Sequence, residues 1–181
     1  MSIWIIGIVV IVALYALFVY NSLIRAKVRV GEAFSQIDVQ LKRRADLIPN
    51  LVETVKGYTK HEKDVLEEVT KARTSLMQAT GVKEKAVANN QLAETLKSLF
   101  AVSENYPQLK ANENFLSLQE ELSDTENKVA YARQFYNSVV MDYNTRLQVF
   151  PTVVFARMMN FSASEFFAAT EDEKKEVQVK F

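Results

Sequence analysis

The sequence predicts an all-α fold: an N-terminal transmembrane helix continuous with a long antiparallel four-helix, coiled-coil-like bundle, followed by a short C-terminal tail segment. Three observations predict it. Ile3 to Tyr20 is a run of eighteen residues without a charge. The 181-residue chain holds only four Gly and three Pro, and its interior favours Ala, Leu, Glu, Lys and Gln, which leaves little material for sheets with tight turns. Apolar residues recur at alternating steps of three and four, a period near 3.5. On this basis residues 1–22 form an anchor, 23–151 the antiparallel bundle, and 152–181 a Met/Phe-rich segment with a charged tail.

The anchor comes first. At about 1.5 Å per residue its eighteen residues cover about 27 Å, enough for a typical hydrocarbon core. A cleaved signal peptide is the competing reading; it would want a basic n-region and a small-x-small site, whereas only Met1-Ser2 precede Ile3 and the run ends in Leu17, Phe18, Val19 and Tyr20. Trp4, Tyr15 and Tyr20 lie near the ends, where aromatic rings favour the interface, although Tyr15 is somewhat deep for that role. Arg25, Lys27 and Arg29 follow, with no basic side chain before the run. The positive-inside rule then places the N-terminus outside and the body in the cytoplasm.

The bundle helices follow in order. Helix one continues the anchor through Leu23, Val30, Phe34, Ile37 and Leu41 to Arg44. Asp46 is its successor's N-cap, with Pro49 in the first turn, where a missing N–H costs nothing. Helix two carries Ile48, Leu51, Val55, Tyr58, Val65, Val69, Ala72, Leu76 and Ala79, and Thr80-Gly81 closes it. Helix three runs from about Lys83 to Asn105 and stops at Tyr106-Pro107. Helix four starts after the cap Asn112 and carries Phe115, Leu118, Leu122, Thr125, Val129, Ala132, Tyr136, Val139 and Tyr143 to Phe150-Pro151. Sustained heptads of this kind predict nearly parallel, left-handed packing. Glu62, Thr125, Tyr136 and Arg146 fall in the seam; either they fix its register or they lie on its flank.

Composition excludes several functions. Twenty-two basic and twenty-two acidic residues cancel, so no nucleic-acid partner is expected. Without Cys there is no disulfide, thiol nucleophile or thiolate metal site. His61 is the only histidine, which rules out a His-x-x-x-His zinc helix and the paired Glu-x-x-His repeats of a di-iron bundle. His61-Glu62, flanked by Lys60 and Lys63, reads as a solvated or seam pair. No catalytic, cofactor or metal residue is expected.

The residues Glu32-Ala33-Phe34-Ser35-Gln36-Ile37-Asp38-Val39-Gln40-Leu41-Lys42-Arg43-Arg44 and Asp46-Leu47-Ile48-Pro49-Asn50-Leu51-Val52-Glu53-Thr54-Val55-Lys56-Gly57-Tyr58 resemble the signature of the LemA family. Tyr106-Pro107, Leu109-Lys110-Ala111-Asn112-Glu113-Asn114-Phe115, Glu126-Asn127, Tyr136-Asn137 and Phe150-Pro151 agree with it. The resemblance implies a bacterial inner-membrane protein, single-pass, with a long antiparallel helical bundle and no assigned enzymatic activity. It transfers no catalytic residue.

Two surfaces follow from the expected geometry. A distal tip collects Arg43, Arg44, Asp46, Asn50, Tyr106, Lys110, Asn112, Glu113 and Asn114, either as a recognition surface or because tight helix turns require such residues. A membrane-proximal end gathers Phe155, Met158, Met159, Phe161, Phe166, Phe167 and Phe181. These would cover the bundle's open end, dip into the bilayer interface or bind a neighbouring copy. Val177 to Phe181 alternate as a strand would, which needs a docking partner. The expected function is a scaffold that self-associates at the cytoplasmic membrane surface and organises or bends it, with membrane lipid and further copies as partners. The alternative is an adaptor presenting its distal tip to a membrane protein partner such as a protease. A metal-dependent enzyme is a distant third.

Overall fold

The computed structural model describes residues 2–59 and 62–167, and these are all-α with no strand among them. The helices are α1 (Ser2–Lys56), α2 (Lys63–Gln78), α3 (Val82–Ser103), the short α4 (Pro107–Lys110), α5 (Glu113–Gln148) and α6 (Thr152–Met158). The strand-like stretch from Val177 to Phe181, the charged tail and His61 lie outside the described residues.

The apolar run does continue into the heptads without a break. α1 is one helix of 55 residues, about 80 Å long. Trp4 to Tyr15 are exposed along it, and from Val19 the buried positions are Leu23, Ala26, Val30, Ala33, Ile37, Leu41, Arg44, Ala45, Ile48, Leu51, Val52 and Val55.

The first bundle turn is where sequence and structure part. No break occurs at Arg43 to Asp46: α1 runs through Pro49 and ends only at Lys56, so Asp46 is not an N-cap and Pro49 is not in a first turn. Asp46 instead pairs with Lys42 one turn back, at 2.5 Å. An interior proline lacks the N–H that would reach the carbonyl four residues earlier, here that of Ala45. Arg73 of α2 supplies the missing donor, its Nε reaching the Ala45 carbonyl at 2.9 Å. The helix therefore passes its proline with that backbone acceptor satisfied. It stops at Lys56, just before Gly57, and beyond the end the N–H groups of Tyr58 and Thr59 and the Thr59 hydroxyl all donate to the Val55 carbonyl.

The remaining boundaries follow the expected punctuation. Thr80-Gly81 separates α2 from α3, and Glu84 reaches back to the N–H groups of Thr80 and Gly81. Pro107 opens α4, and the side-chain oxygen of Asn112 accepts the N–H of Phe115 at the start of α5.

The chain divides into two compact units. One comprises Met1–Gln36 and Gln134–Phe166. In it, α5 runs antiparallel to α1: Arg146 lies against Ser22, and Tyr136 against Phe34 at 5.8 Å between ring centroids. Val19, Leu23, Ala26, Val30 and Ala33 face Tyr136, Val140, Tyr143 and Leu147 in its core. Val140 and Leu147 take places that the heptad count gave to Val139 and Arg146, a drift of one position, and Phe150 is 83% exposed.

The other unit comprises Ile37–Arg133 and Phe167–Phe181. Four helices pack here in alternating directions. Lys85 on α3 meets Asp38, and Asn89 meets Arg44, so α3 is parallel to α1; Glu126 and Asn112 of α5 meet Arg44 and Tyr58, so α5 is antiparallel to it. Leu66, Val69, Ala72 and Leu76 of α2 and Leu92, Leu96 and Leu99 of α3 fill the core with Ile37, Leu41, Ile48, Leu51, Phe115, Leu122 and Val129.

Candidate functional site

The nine residues expected at a tip separate into two groups. Arg43, Arg44, Asp46 and Asn50 sit inside α1, so they do not share a turn with the α3–α5 connection. Arg44 is only 3% exposed. Its guanidinium pairs with Glu126 of α5 and donates to Asn89 Oδ1 of α3 at 2.9 Å. Burial pushes the Arg44 guanidinium below its ordinary value, and the Glu126 carboxylate opposes that shift. A buried charge held from two other helices ties α1, α3 and α5 in one register, since a slip would leave it unpaired.

The true turns form the second group. Tyr106 donates to Glu62 at 3.2 Å, and Asn112 Nδ2 donates to the Tyr58 hydroxyl at 2.9 Å. These bonds tie the α1–α2 connection to the α3–α5 connection. Burial first, then the hydrogen bond and charge of Glu62, raise the Tyr106 phenol above its ordinary value. Lys110 pairs with Glu104, while Glu113 and Asn114 are exposed at the start of α5.

Five of the residues expected at a membrane-proximal end, Phe155, Met158, Met159, Phe161 and Phe166, form a different construction, within the unit that contains the apolar run. Phe155 of α6 packs edge-on against Tyr15 at 5.5 Å, and Phe161 against Tyr20 at 6.0 Å. The segment after Phe161 then runs back beside α5. Tyr143 donates to the Ser162 carbonyl at 3.1 Å and Tyr136 to the Glu165 carbonyl at 2.8 Å. Asn144 clasps Ser164 from both sides, donating to its carbonyl at 2.9 Å and accepting its N–H at 2.8 Å. Both phenols are raised above their ordinary value, mainly by burial. Met159 is half-buried, whereas Met158 is 75% and Phe166 49% exposed. Phe167, in the other unit, is buried beneath the Arg133 guanidinium at 5.4 Å. Phe181 lies outside the described residues.

Beyond Tyr20 the surface turns basic. Ser22, Arg25, Ala26, Arg29 and Arg146 line an open hollow of about 280 Å³. Arg146 also pairs with Asp142 at 2.9 Å. Among the described residues, no group of three or more His, Cys, Asp or Glu side chains is placed to hold a metal ion.

A family model for the LemA family matches residues 33–181, most of the chain. The chain belongs to the LemA family. Among its relatives, the protein LemA of Metamycoplasma hominis is 26% identical over 165 residues, covering 88% of this chain and 75% of that protein. Two Paramagnetospirillum magneticum proteins, magnetosome proteins MamQ 1 and MamQ 2, are each 23% identical over 174 residues. The match takes in 82% of this chain but 64% of theirs, so the chain spans less than two thirds of those relatives.

Within this LemA-family chain, sequence reasoning missed the residues that fasten the C-terminal segment. Asn144 carried no signal, being polar and beside the seam residue Tyr143. By sequence Tyr15 and Tyr20 are interfacial aromatics, Tyr15 somewhat deep for that role; its ring packs instead on Phe155. Of the seam polar residues, Thr125 and Tyr136 are buried and bonded, to the Leu122 and Glu165 carbonyls, while Arg146 lies on the flank.

Proposed function

We propose that this protein is a membrane-anchored helical scaffold that self-associates at the cytoplasmic face of the bacterial inner membrane. The observation that carries the reading is the single helix α1, whose exposed apolar first third, long and apolar enough to cross a membrane, becomes a buried bundle seam at Val19 without a break. Apolar side chains exposed along a helix of this length are at home in hydrocarbon and costly in water. Arg25, Lys27 and Arg29 follow the run and favour a cytoplasmic body.

Self-association is supported by apolar side chains that the fold leaves uncovered. α1 exposes Ile24 and Val28, and α5 exposes Phe135 and Met141. The anchor lacks a Gly-x-x-x-Gly face, so assembly falls to such bundle surfaces. Two relatives are named as magnetosome proteins, and a membrane-associated helical role here fits that kinship.

The full chain, extracted into nanodiscs and weighed by mass photometry, is expected to contain several copies per particle. One copy at every concentration overturns the scaffold. Protease added outside intact cells is expected to leave the bundle whole; its cleavage there reverses the topology.

A further inference from the structure

From Gln148 to Phe166 the chain makes an excursion toward the anchor and back. α5 ends at Gln148, shortly after Arg146 has passed Ser22; α6 carries the chain on to Tyr15 through Phe155; Phe161 returns it to Tyr20; and Ser162 to Glu165 retrace α5. The two ring contacts fix a depth. Tyr15 lies five residues inside the end of the apolar run, about 7 Å along the helix. Whatever medium surrounds that end of the anchor also surrounds α6.

The apolar side chains left exposed on α6 and just before it suit hydrocarbon. Val154 and Met158 lie one turn apart on α6 and are 47% and 75% exposed, and Phe150, two residues ahead of the helix, is 83% exposed. The backbone is also prepared for a dry environment. α6 ends in a Schellman closure, with Asn160 at a φ of 55°, its N–H on the Arg157 carbonyl and the Phe161 N–H on the Ala156 carbonyl. Arg157 is the charged residue of the helix; its long stem lets the guanidinium reach toward the headgroups. The arginine-lined hollow of Ser22, Arg25, Arg29 and Arg146 begins two residues past Tyr20, at headgroup depth if Tyr20 marks the hydrocarbon edge.

We infer that residues 149–161 form a re-entrant hairpin inserted into the cytoplasmic leaflet, with Phe150, Val154 and Met158 facing lipid acyl chains. The hairpin gives the protein a second membrane contact beside its spanning helix. This inference rests on the anchored reading above.

The chain's lack of cysteine makes the test direct. Single variants V154C and M158C of the full chain, labelled with an environment-sensitive fluorophore, go into phosphatidylglycerol/phosphatidylethanolamine vesicles containing doxyl-labelled acyl chains. I11C reports the anchor and V87C the aqueous bundle. V154C and M158C are expected to blue-shift and to be quenched by doxyl lipid nearly as strongly as I11C, with V87C unquenched. If I11C is quenched but M158C and V154C instead respond to aqueous iodide as V87C does, the hairpin is not inserted while the anchor stands. Emission from an apolar environment without doxyl quenching puts protein there rather than lipid and overturns the inference. If I11C itself responds to iodide, the anchored reading falls and takes the hairpin with it.

Discussion

At the scale of single residues, the fold depends on polar groups matched to particular backbone acceptors. The Arg73 Nε on the Ala45 carbonyl is the clearest case, because Pro49 creates the need that Arg73 meets. Replacing Arg73 with Met should leave a backbone acceptor unsatisfied and cost about 1–3 kcal/mol. Adding Pro49→Ala restores an N–H to Ala45, so the loss caused by R73M should shrink in that background. Chemical unfolding of the four members of this double-mutant cycle measures the coupling, and equal R73M losses in both backgrounds would refute the pairing. Sequence reading saw Pro49 and Asp46 as a helix start because both are common there. The signal that decides against it is non-local: Arg73 lies 28 residues away, and no local pattern announces such a donor. Arg44 was misplaced for the same reason, since its partners Asn89 and Glu126 come from two other helices.

At the scale of elements, helix ends are where local chemistry sufficed. Asn112, Pro107 and Thr80-Gly81 each sit where caps and breakers belong, and the corresponding boundaries were legible from sequence. The start of α3 shows the physics. Glu84 accepts the Thr80 N–H at 3.1 Å, the Gly81 N–H at 3.4 Å and the Thr80 hydroxyl at 3.2 Å, and these bonds, the Thr80 N–H first, hold its carboxyl below its ordinary value of 4.5. A carboxylate whose folded pKa is depressed stabilises the protein above the unfolded value and loses that contribution as pH falls through the folded one. The thermal-midpoint difference between the parent chain and Glu84→Gln should therefore be present near neutral pH and fade below about pH 4.5. A constant difference across that range would show that the cap does not act through its charge. Seam positions were less legible than ends: α5 drifts by one place after Val129, so Val140 and Leu147 are buried where Val139 and Arg146 were expected. An α-helix of 3.6 residues per turn slips against a repeat of 3.5 unless supercoiling corrects it.

At the scale of the whole molecule, the all-helical class and the single apolar span were legible because they rest on composition and period, which survive errors at individual residues. The return of residues 161–166 along α5 was not. It is held by side chains on backbone carbonyls, through Tyr136, Tyr143 and Asn144, and has no periodicity of its own. Within the anchor-containing unit, the apolar run and the seam of Leu23, Ala26 and Val30 belong to one uninterrupted helix. Such a helix conveys angle as well as length. Inserting one alanine between Tyr20 and Asn21 would turn the apolar run by about 100° about its axis relative to that seam. Seven insertions would bring it back to within about 20°. Assembly measured along such a ladder should fail and recover with the helical period if copies recognise one another in a fixed azimuth. A monotonic decline would mean that only reach matters. An unbroken α1 thus makes the compass bearing of the apolar run about the helix axis, taken from the seam, a property written in residue count.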